Sequence, residues 1–294
     1  MAVRNIQSIY QYFESAHGQL TSFIRLIADE GVKRFHYSFV PLLRLMEVNM
    51  KLAYDLHIHT ALSPCADDDM TPNNIVNMSI LKGLDVIAVT DHNSCRNVPA
   101  CLTCAENTQL LVIPGMEVET AEEIHVICLF PNMDRALEMQ ELVYSRLPEI
   151  GNNEAVFGNQ LVLNHKDEVL YKEDRLLLTS AAISINEVFD VVMGRLKGLA
   201  IPAHIDRQAN SLLSSFGVMP EDIDINCVEI SDRAKELILT EKHSRLKNIR
   251  KIYSSDAHYL GNISERKNFL EAEKCAEGVL SFLRNGSFPD KLEL

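Results

Sequence analysis

The sequence contains no basic tract and no Lys/Arg-rich arm anywhere along its 294 residues. Its 28 Lys and Arg stand against 41 Asp and Glu, a formal charge of −13, which disfavours non-specific clamping of long nucleic acid. No stretch approaches the ~20 uninterrupted apolar residues of a membrane span; Asp29, Glu30 and Arg44 break the most hydrophobic part of the first fifty. The amino terminus lacks the basic, apolar, small-residue order of a secretory signal, and seven cysteines are an odd set in a long chain. The expectation is a soluble, reduced, cytoplasmic protein. No repeat or low-complexity tract appears, and 47% hydrophobic content excludes a mostly disordered chain.

Composition shifts near Met50. Residues 1–50 carry five basic and four acidic groups, so the acidity belongs to the remainder. Ile9, Phe13, Leu20, Ile24 and Ile27 recur near helical spacing. Two readings stay open: an N-terminal helical extension, or a segment preceding a true start at Met50. The second part, 51–294, reads as the main domain.

From Lys51 onward, short β-rich runs (53–57, 85–89, 110–114, 124–130, 198–202, 227–230 and 251–253) alternate with helical patterns (71–82, 185–196, 234–247 and 274–284). That rhythm predicts an α/β fold with a mostly parallel sheet and barrel-like closure. Residues 148–184 break it: three short strand patterns (160–163, 168–171 and 176–178) surround a polar turn, as in an inserted hairpin or small cap. Such an insertion either selects substrate or merely elaborates the surface.

Histidines and acids collect where the apolar runs end. The sequence gives Asp55-Leu56-His57-Ile58-His59, Thr90-Asp91-His92, Pro114-Gly115-Met116-Glu117, Ile201-Pro202-Ala203-His204 and Ser255-Asp256-Ala257-His258. In parallel α/β barrels the carboxyl ends of the strands converge on one face, so these positions would meet there. His57, His59, His92, His125, His204 and His258, with Glu117, Asp256 and an acid from 67–69, offer imidazoles and carboxylates with few thiolates. That set suits two or more divalent ions such as Zn²⁺, Mn²⁺ or Fe²⁺.

These motifs, in this order, resemble those of the PHP (polymerase and histidinol phosphatase) metal-dependent phosphoesterases over roughly residues 52–262. The resemblance implies a distorted seven-stranded (β/α)7 TIM-like barrel with a trinuclear metal centre. It implies that His57, His59, Glu117 and Asp256 hold one ion, that Glu117 bridges to a second on His125 and His204, and that His92, His258 and an acid hold a third. Counting back from Met70-Thr71-Pro72 selects Asp67 for that acid, with Asp68 as the alternative, because this sequence inserts Ser63-Pro64-Cys65 before three consecutive aspartates.

Ions ~4 Å apart can share a bridging hydroxide whose parent water has a pKa near ~7, and can clamp both oxygens of an in-line displacement. The sequence therefore reads as a phosphoesterase hydrolysing a small phosphomonoester, such as a nucleotide or bisphosphonucleotide. Arg207 is the candidate phosphate clamp, since guanidinium matches phosphate oxygens with paired donors, and Asp256 or His258 would assist the leaving group. The alternatives are a 5′-to-3′ exonuclease on short oligonucleotides and a non-catalytic metal-binding regulatory module. No membrane partner is expected, and the sequence leaves the oligomeric state open.

Plainer readings apply elsewhere. An isolated histidine is more often structural, which covers His17, His36 and His243; His165 reads as a solvated turn residue. Glu119, Glu122 and Glu123 read as solvated surface, and Asp91 either orients a neighbouring imidazole or caps a helix. Arg207 could instead pair with Asp206 or Asp222. Cys101-Leu102-Thr103-Cys104 has no second pair at finger spacing and reads as packing. Cys65 and Cys95 read as neighbours of the site, outside it.

Overall fold

A computed structural model describes residues 50–285; the helical extension expected over 1–50 lies, apart from Met50, outside the described residues. Strand β1 (Met50–Ile58) leads through a loop to α1 (Pro72–Leu81), whose start is fixed by the Thr71 side chain accepting from the Asn74 N–H and by Pro72 in the first turn. Then follow β2 (Val86–Val89), α2 (Val98–Ala105), β3 (Leu111–Glu119), β4 (His125–Leu129) and α3 (Met133–Arg146). The short α4 (Glu154–Phe157) precedes β5 (Leu161–Leu163) and β6 (Val169–Lys172), an antiparallel pair; 176–178 form no strand. Next come α5 (Ile185–Phe189) running into a π-helical turn, β7 (Leu199–Pro202), α6 (Leu212–Phe216), β8 (Cys227–Glu229), α7 (Glu236–Lys242), β9 (Arg250–Ile252), β10 (Phe269–Ala272) and α8 (Ala276–Asn285).

The fold is α/β, and its main sheet is mixed, in the order β10-β1-β2-β3-β4-β7. β1, β2 and β3 run parallel; β4 opposes both β3 and β7, and β10 opposes β1. The antiparallel turn after β3 has a simple cause: residues 120–124 are too few for the crossover that a parallel neighbour requires. The parallel pair β8–β9 continues the curl. The Ile205 N–H donates to the Glu229 carbonyl (2.9 Å) beside β7, and Ala257 exchanges backbone hydrogen bonds with His57 and His59 (3.2 and 3.0 Å) on β1. A distorted barrel results, joined at two places by one or two backbone bonds instead of full ladders.

The strands feed two hydrophobic clusters. Leu52, Tyr54, Leu56, Val86, Ala88, Ile113, Ile127, Leu199 and Ile201 form an inner one with Val279, Leu280 and Leu283 of α8, while Ala53, Ile87, Val89, Val126 and Cys128 pack outward with the helices. Ile58 belongs to the outer cluster although Leu56 lies in the inner one. The register of β1 against β2 shifts between Asp55 and Ile58, and a shift of one residue exchanges the faces of a strand. That shift turns His57 and His59 toward the inside of the rim. Among the described residues no helix is long and apolar enough to cross a membrane.

Candidate metal centre

One rim of the barrel gathers the histidines and acids. His57 and His59 end β1, His92 follows β2, Glu117 lies near the end of β3, and His204 follows β7. His125 is the first residue of β4, yet it reaches the same rim because β4 runs the other way, opposite Glu119. Asp256 and His258 follow β9 and are carried in by the Ala257 bridge to β1. His204 (φ +30°) and Asp256 (φ +50°) both adopt left-handed backbone, a strained choice of the kind that concentrates at functional sites.

The donor atoms face common points. His57 Nε2 lies 3.1 Å from His59 Nε2, 3.3 Å from Asp256 Oδ1 and 3.3 Å from Glu117 Oε1; His59 Nε2 lies 3.0 Å from Asp256 Oδ1 and 3.5 Å from Glu117 Oε2. Ligands held ~2.1 Å from a tetrahedral centre stand ~3.4 Å apart, so these atoms have the spacing of a coordination shell. Glu117 Oε1 is also 3.0 Å from His125 Nδ1 and 3.2 Å from His204 Nε2, and Oε2 is 3.0 Å from His92 Nδ1. Glu117 therefore sits at the centre of the group, where a carboxylate shared between two ions would be. His59, His92 and His258 form a further triad of converging nitrogens.

Of the converging atoms His92 Nδ1, Glu117 Oε2 and Asp256 Oδ1 are buried without a hydrogen-bond partner, as are the opposite ring nitrogens His125 Nε2 and His204 Nδ1. Orphaned lone pairs are costly in a protein interior, and such a group of imidazoles and carboxylates is a fit for divalent cations.

Supporting bonds set the tautomers. Both Glu229 oxygens approach His57 Nδ1 (3.0 and 3.2 Å); a carboxylate can only accept, so Nδ1 carries the proton and Nε2 presents its lone pair. Glu229 also accepts the His204 N–H at 3.0 Å. Asp91 accepts from the Thr60 N–H, the Thr60 hydroxyl and the Ser63 hydroxyl, each at 2.7 Å. The Ser63 oxygen in turn accepts from His59 Nδ1 (2.9 Å), so Asp91 orients an imidazole through a serine and does not cap a helix.

Burial alone would raise the Glu117 carboxyl, but the imidazoles of His125, His57 and His92 hold it well below the usual range. Burial likewise opposes ionisation of Asp256, and His57 and His59 outweigh it. The carboxylates in turn lift His57, His92 and His125 against the burial that would depress them. Asp256, ionised this firmly, is suited to hold cations and unsuited to donate a proton.

Arg207 lies at the edge, half exposed, with its Nη1 2.7 Å from Asp256 Oδ2. It pairs with neither Asp206, which binds Lys235, nor Asp222, which meets Asn186. An open cleft of about 650 Å³ beside it is lined by His125, His204, Arg207 and Lys235 among others. Asp67 is not brought to the cluster: it is exposed, and its Oδ1 accepts from the Asp69 N–H at 2.9 Å. Asp68, also exposed, accepts from Asn159 Nδ2 at 2.8 Å.

The sequence reading missed Glu229, whose signal was an acid inside the apolar run Cys227-Val228-Glu229-Ile230; a buried charge in a core strand needs a partner. It also missed Glu119, which is not solvated surface: its carboxylate accepts from the Ser180 hydroxyl at 2.8 Å and lies 3.8 Å from His125 Nε2. Cys101 is buried in α2 and Cys104 partly so, both with free thiols. His165 is exposed on the β5–β6 turn.

Comparison with known proteins adds to this geometry. The chain is 33% identical over 97 residues to a 5′-3′ exoribonuclease, Rnm, of Salmonella typhimurium, a match covering 31% of each chain. It is 30% identical over 112 residues to a 5′-3′ exoribonuclease of Haemophilus influenzae, covering 35% of this chain and 40% of that one. The matches thus span about a third of these relatives. The fold is similar to that of a lesion-specific endonuclease, endonuclease Q, of Pyrococcus furiosus (TM-score 0.54, 19% identity, 75% of this chain and 52% of that one). The family model described as the PHP domain matches residues 55–287, from the first histidine-bearing strand past the last rim histidine, and the chain belongs to that family of metal-dependent phosphoesterases.

Proposed function

We propose that the protein is a 5′-to-3′ exoribonuclease that trims short oligonucleotides. The observation that carries this reading is its similarity to two exoribonucleases, on a chain whose rim cleft is open and flanked by Arg207 and Lys235. An open cleft admits a nucleotide chain, while the absence of a basic tract limits its useful length.

In this reading His57, His59, Glu117 and Asp256 hold one cation, Glu117 with His125 and His204 a second, and His92 and His258 contribute to a third. Divalent ions bound there supply Lewis acidity toward phosphate oxygens and lower the pKa of water toward neutrality. The chain's own residues do the rest. Glu229 and the Asp91–Ser63 pair keep the His57 and His59 lone pairs aimed inward. Arg207, with one nitrogen on Asp256, presents its remaining donors to a substrate phosphate at the cleft mouth. His258, whose Nδ1–H donates to the Asp256 carbonyl at 2.9 Å, is left with the Nε2 lone pair as its donor to the third cation. Residues 148–184, with the β5–β6 hairpin, act as a cap inserted in the phosphoesterase domain of 51–294.

The test is a time course with Mn²⁺ and a short 5′-phosphorylated RNA, resolved by length and end label, beside nucleoside monophosphates and a bisphosphonucleotide. Release of 5′-mononucleotides one at a time from the 5′ end is expected, with His57→Ala and Asp256→Ala slower by at least ~100-fold. Phosphate release from the mononucleotides with intact RNA would instead establish a small-molecule phosphatase. Tight metal binding without any turnover would point to a regulatory module.

A further inference from the structure

The end of the barrel opposite the histidine-bearing rim holds a second cavity. β1 begins there with Lys51 and runs about 20 Å, six residues at ~3.3 Å each, before it delivers His57 to the rim. The cavity, of about 270 Å³, is walled by β1, β9, β10 and α8, and three cations line it, Lys51, Arg250 and Lys251, against one acid, Glu271. In a chain of net charge −13 this is a local reversal of sign. Lys251 is committed, its Nζ donating to the Leu246 carbonyl. The other two are not: among the described residues neither Lys51 nor Arg250 pairs with a carboxylate, although Glu271 stands opposite Lys51 on the β1–β10 ladder. Each lies on an aromatic ring instead, Lys51 Nζ 4.6 Å from the centre of Phe269 and the Arg250 guanidinium 3.9 Å from that of Phe282. Arg250 Nε is moreover buried with no hydrogen-bond partner. A half-buried guanidinium without a counter-charge is costly, and burial lowers the Arg250 pKa from its usual value.

We propose that this cavity binds a small organic phosphate, its anionic group held by Lys51 and Arg250 and its body lying against Phe269, Phe282 and Leu270. Guanidinium and ammonium donors match phosphate oxygens, and aromatic and aliphatic walls take a planar or apolar body. Inorganic phosphate alone would leave those walls wet. An oligonucleotide is too large, since the volume stands at the low end for small-molecule sites; a mononucleotide has the size and both kinds of surface. The cavity shares no residue with the rim or its cleft, so the inference does not rest on the exoribonuclease reading.

The test titrates the full-length protein, stripped of metal so that the rim presents no cation to phosphate, with AMP, adenosine and inorganic phosphate. AMP is expected to bind saturably, with adenosine and inorganic phosphate each weaker by about tenfold or more, the effect of losing a charged hydrogen bond or the apolar contact. Arg250→Gln should weaken AMP by about tenfold as well, while Arg207→Ala, at the rim, should bind it as the parent does. Hydrogen exchange of the parent should slow on AMP binding in residues 250–252 and 269–283. Absence of saturable AMP binding, inorganic phosphate bound as tightly as AMP, loss of binding in Arg207→Ala, or protection confined to the rim overturns the assignment. Should Arg250→Gln fail to fold, Lys51→Gln, on an exposed side chain, takes its place, and unchanged AMP affinity there refutes the site. None of these readouts needs turnover, so their failure leaves the exoribonuclease reading standing on its own test.

Discussion

The carboxylate of Glu229 lies 3.0 Å from Nδ1 of His57, a residue 172 positions earlier in the chain, and both side chains are essentially fully buried. The same carboxylate holds the His204 N–H, so one acid on β8 fixes two of the rim histidines from behind. Glu229→Gln keeps the shape but can present an amide donor to Nδ1, leaving Nε2 protonated and unable to bind metal. We expect metal affinity or turnover to fall about 10–100-fold. Isothermal titration of the stripped variant with Mn²⁺ checks this; unchanged affinity would show that Glu229 only fills space.

Arg207 is expected to act on substrate and not on metal. It touches only the outer oxygen of Asp256, and its side chain is 46% exposed. Arg207→Ala should leave the ion content unchanged while raising KM for a 5′-phosphorylated substrate about tenfold, the effect of a lost charged hydrogen bond. Arg207→Lys should recover part of this, because the charge survives without the paired geometry. Loss of bound metal in Arg207→Ala would contradict the assignment.

Metal binding should stabilise the protein more as pH rises. In the metal-free protein, burial depresses His57, His92 and His125, but the neighbouring carboxylates raise them above their ordinary 6.5 overall. Rings with a raised folded-state pKa contribute stability that is complete below the unfolded value and disappears as pH climbs through the folded one. Cations require these same rings neutral. The difference in melting temperature between Mn²⁺-loaded and stripped protein should therefore widen above pH 6.5; scanning fluorimetry from pH 6 to 9 showing a constant or shrinking difference would sink this account.

Gly158 is the point where the cap meets the loop of Cys65. Its φ of +101° is a conformation that other residues rarely adopt, and an added Cβ would stand 2.1 Å from the Pro64 carbonyl oxygen. Gly158→Ala should cost about 1–3 kcal/mol, read from urea unfolding, and displace the loop that approaches His258. An unaltered unfolding midpoint would mean that the cap does not bear on that loop.

Much of the rim was legible in the sequence because metal-binding side chains stand out at the ends of apolar runs. The pairs His57/His59 and Asp256/His258 carry their spacing in local sequence, and Glu117 and His204 each follow a recognisable strand. His125 was legible as a donor, but the reason it reaches the rim was not, since it begins its strand; the short link 120–124 reverses β4. Helix α3 was not anticipated, for its pattern is masked by polar residues such as Asp134, Glu138 and Glu141. The acid after the paired histidines was sought in the run Asp67-Asp68-Asp69, where composition is most suggestive, and there Asp67 and Asp68 stand exposed, bonded to the Asp69 N–H and to Asn159.

By itself the sequence determined the alternation of strands and helices, the acidic balance and the identity of nearly every rim donor, because periodicity and residue chemistry are local properties. Tertiary structure decided which way each donor points. The register shift in β1 turns His57 and His59 inward, the Glu229 and Asp91–Ser63 bonds select their tautomers, and the loop after β1 leaves the Asp67 side chain exposed, bonded to the Asp69 N–H. Those outcomes depend on pairing between segments up to two hundred residues apart, and no local pattern encodes the direction of a side chain across such a distance.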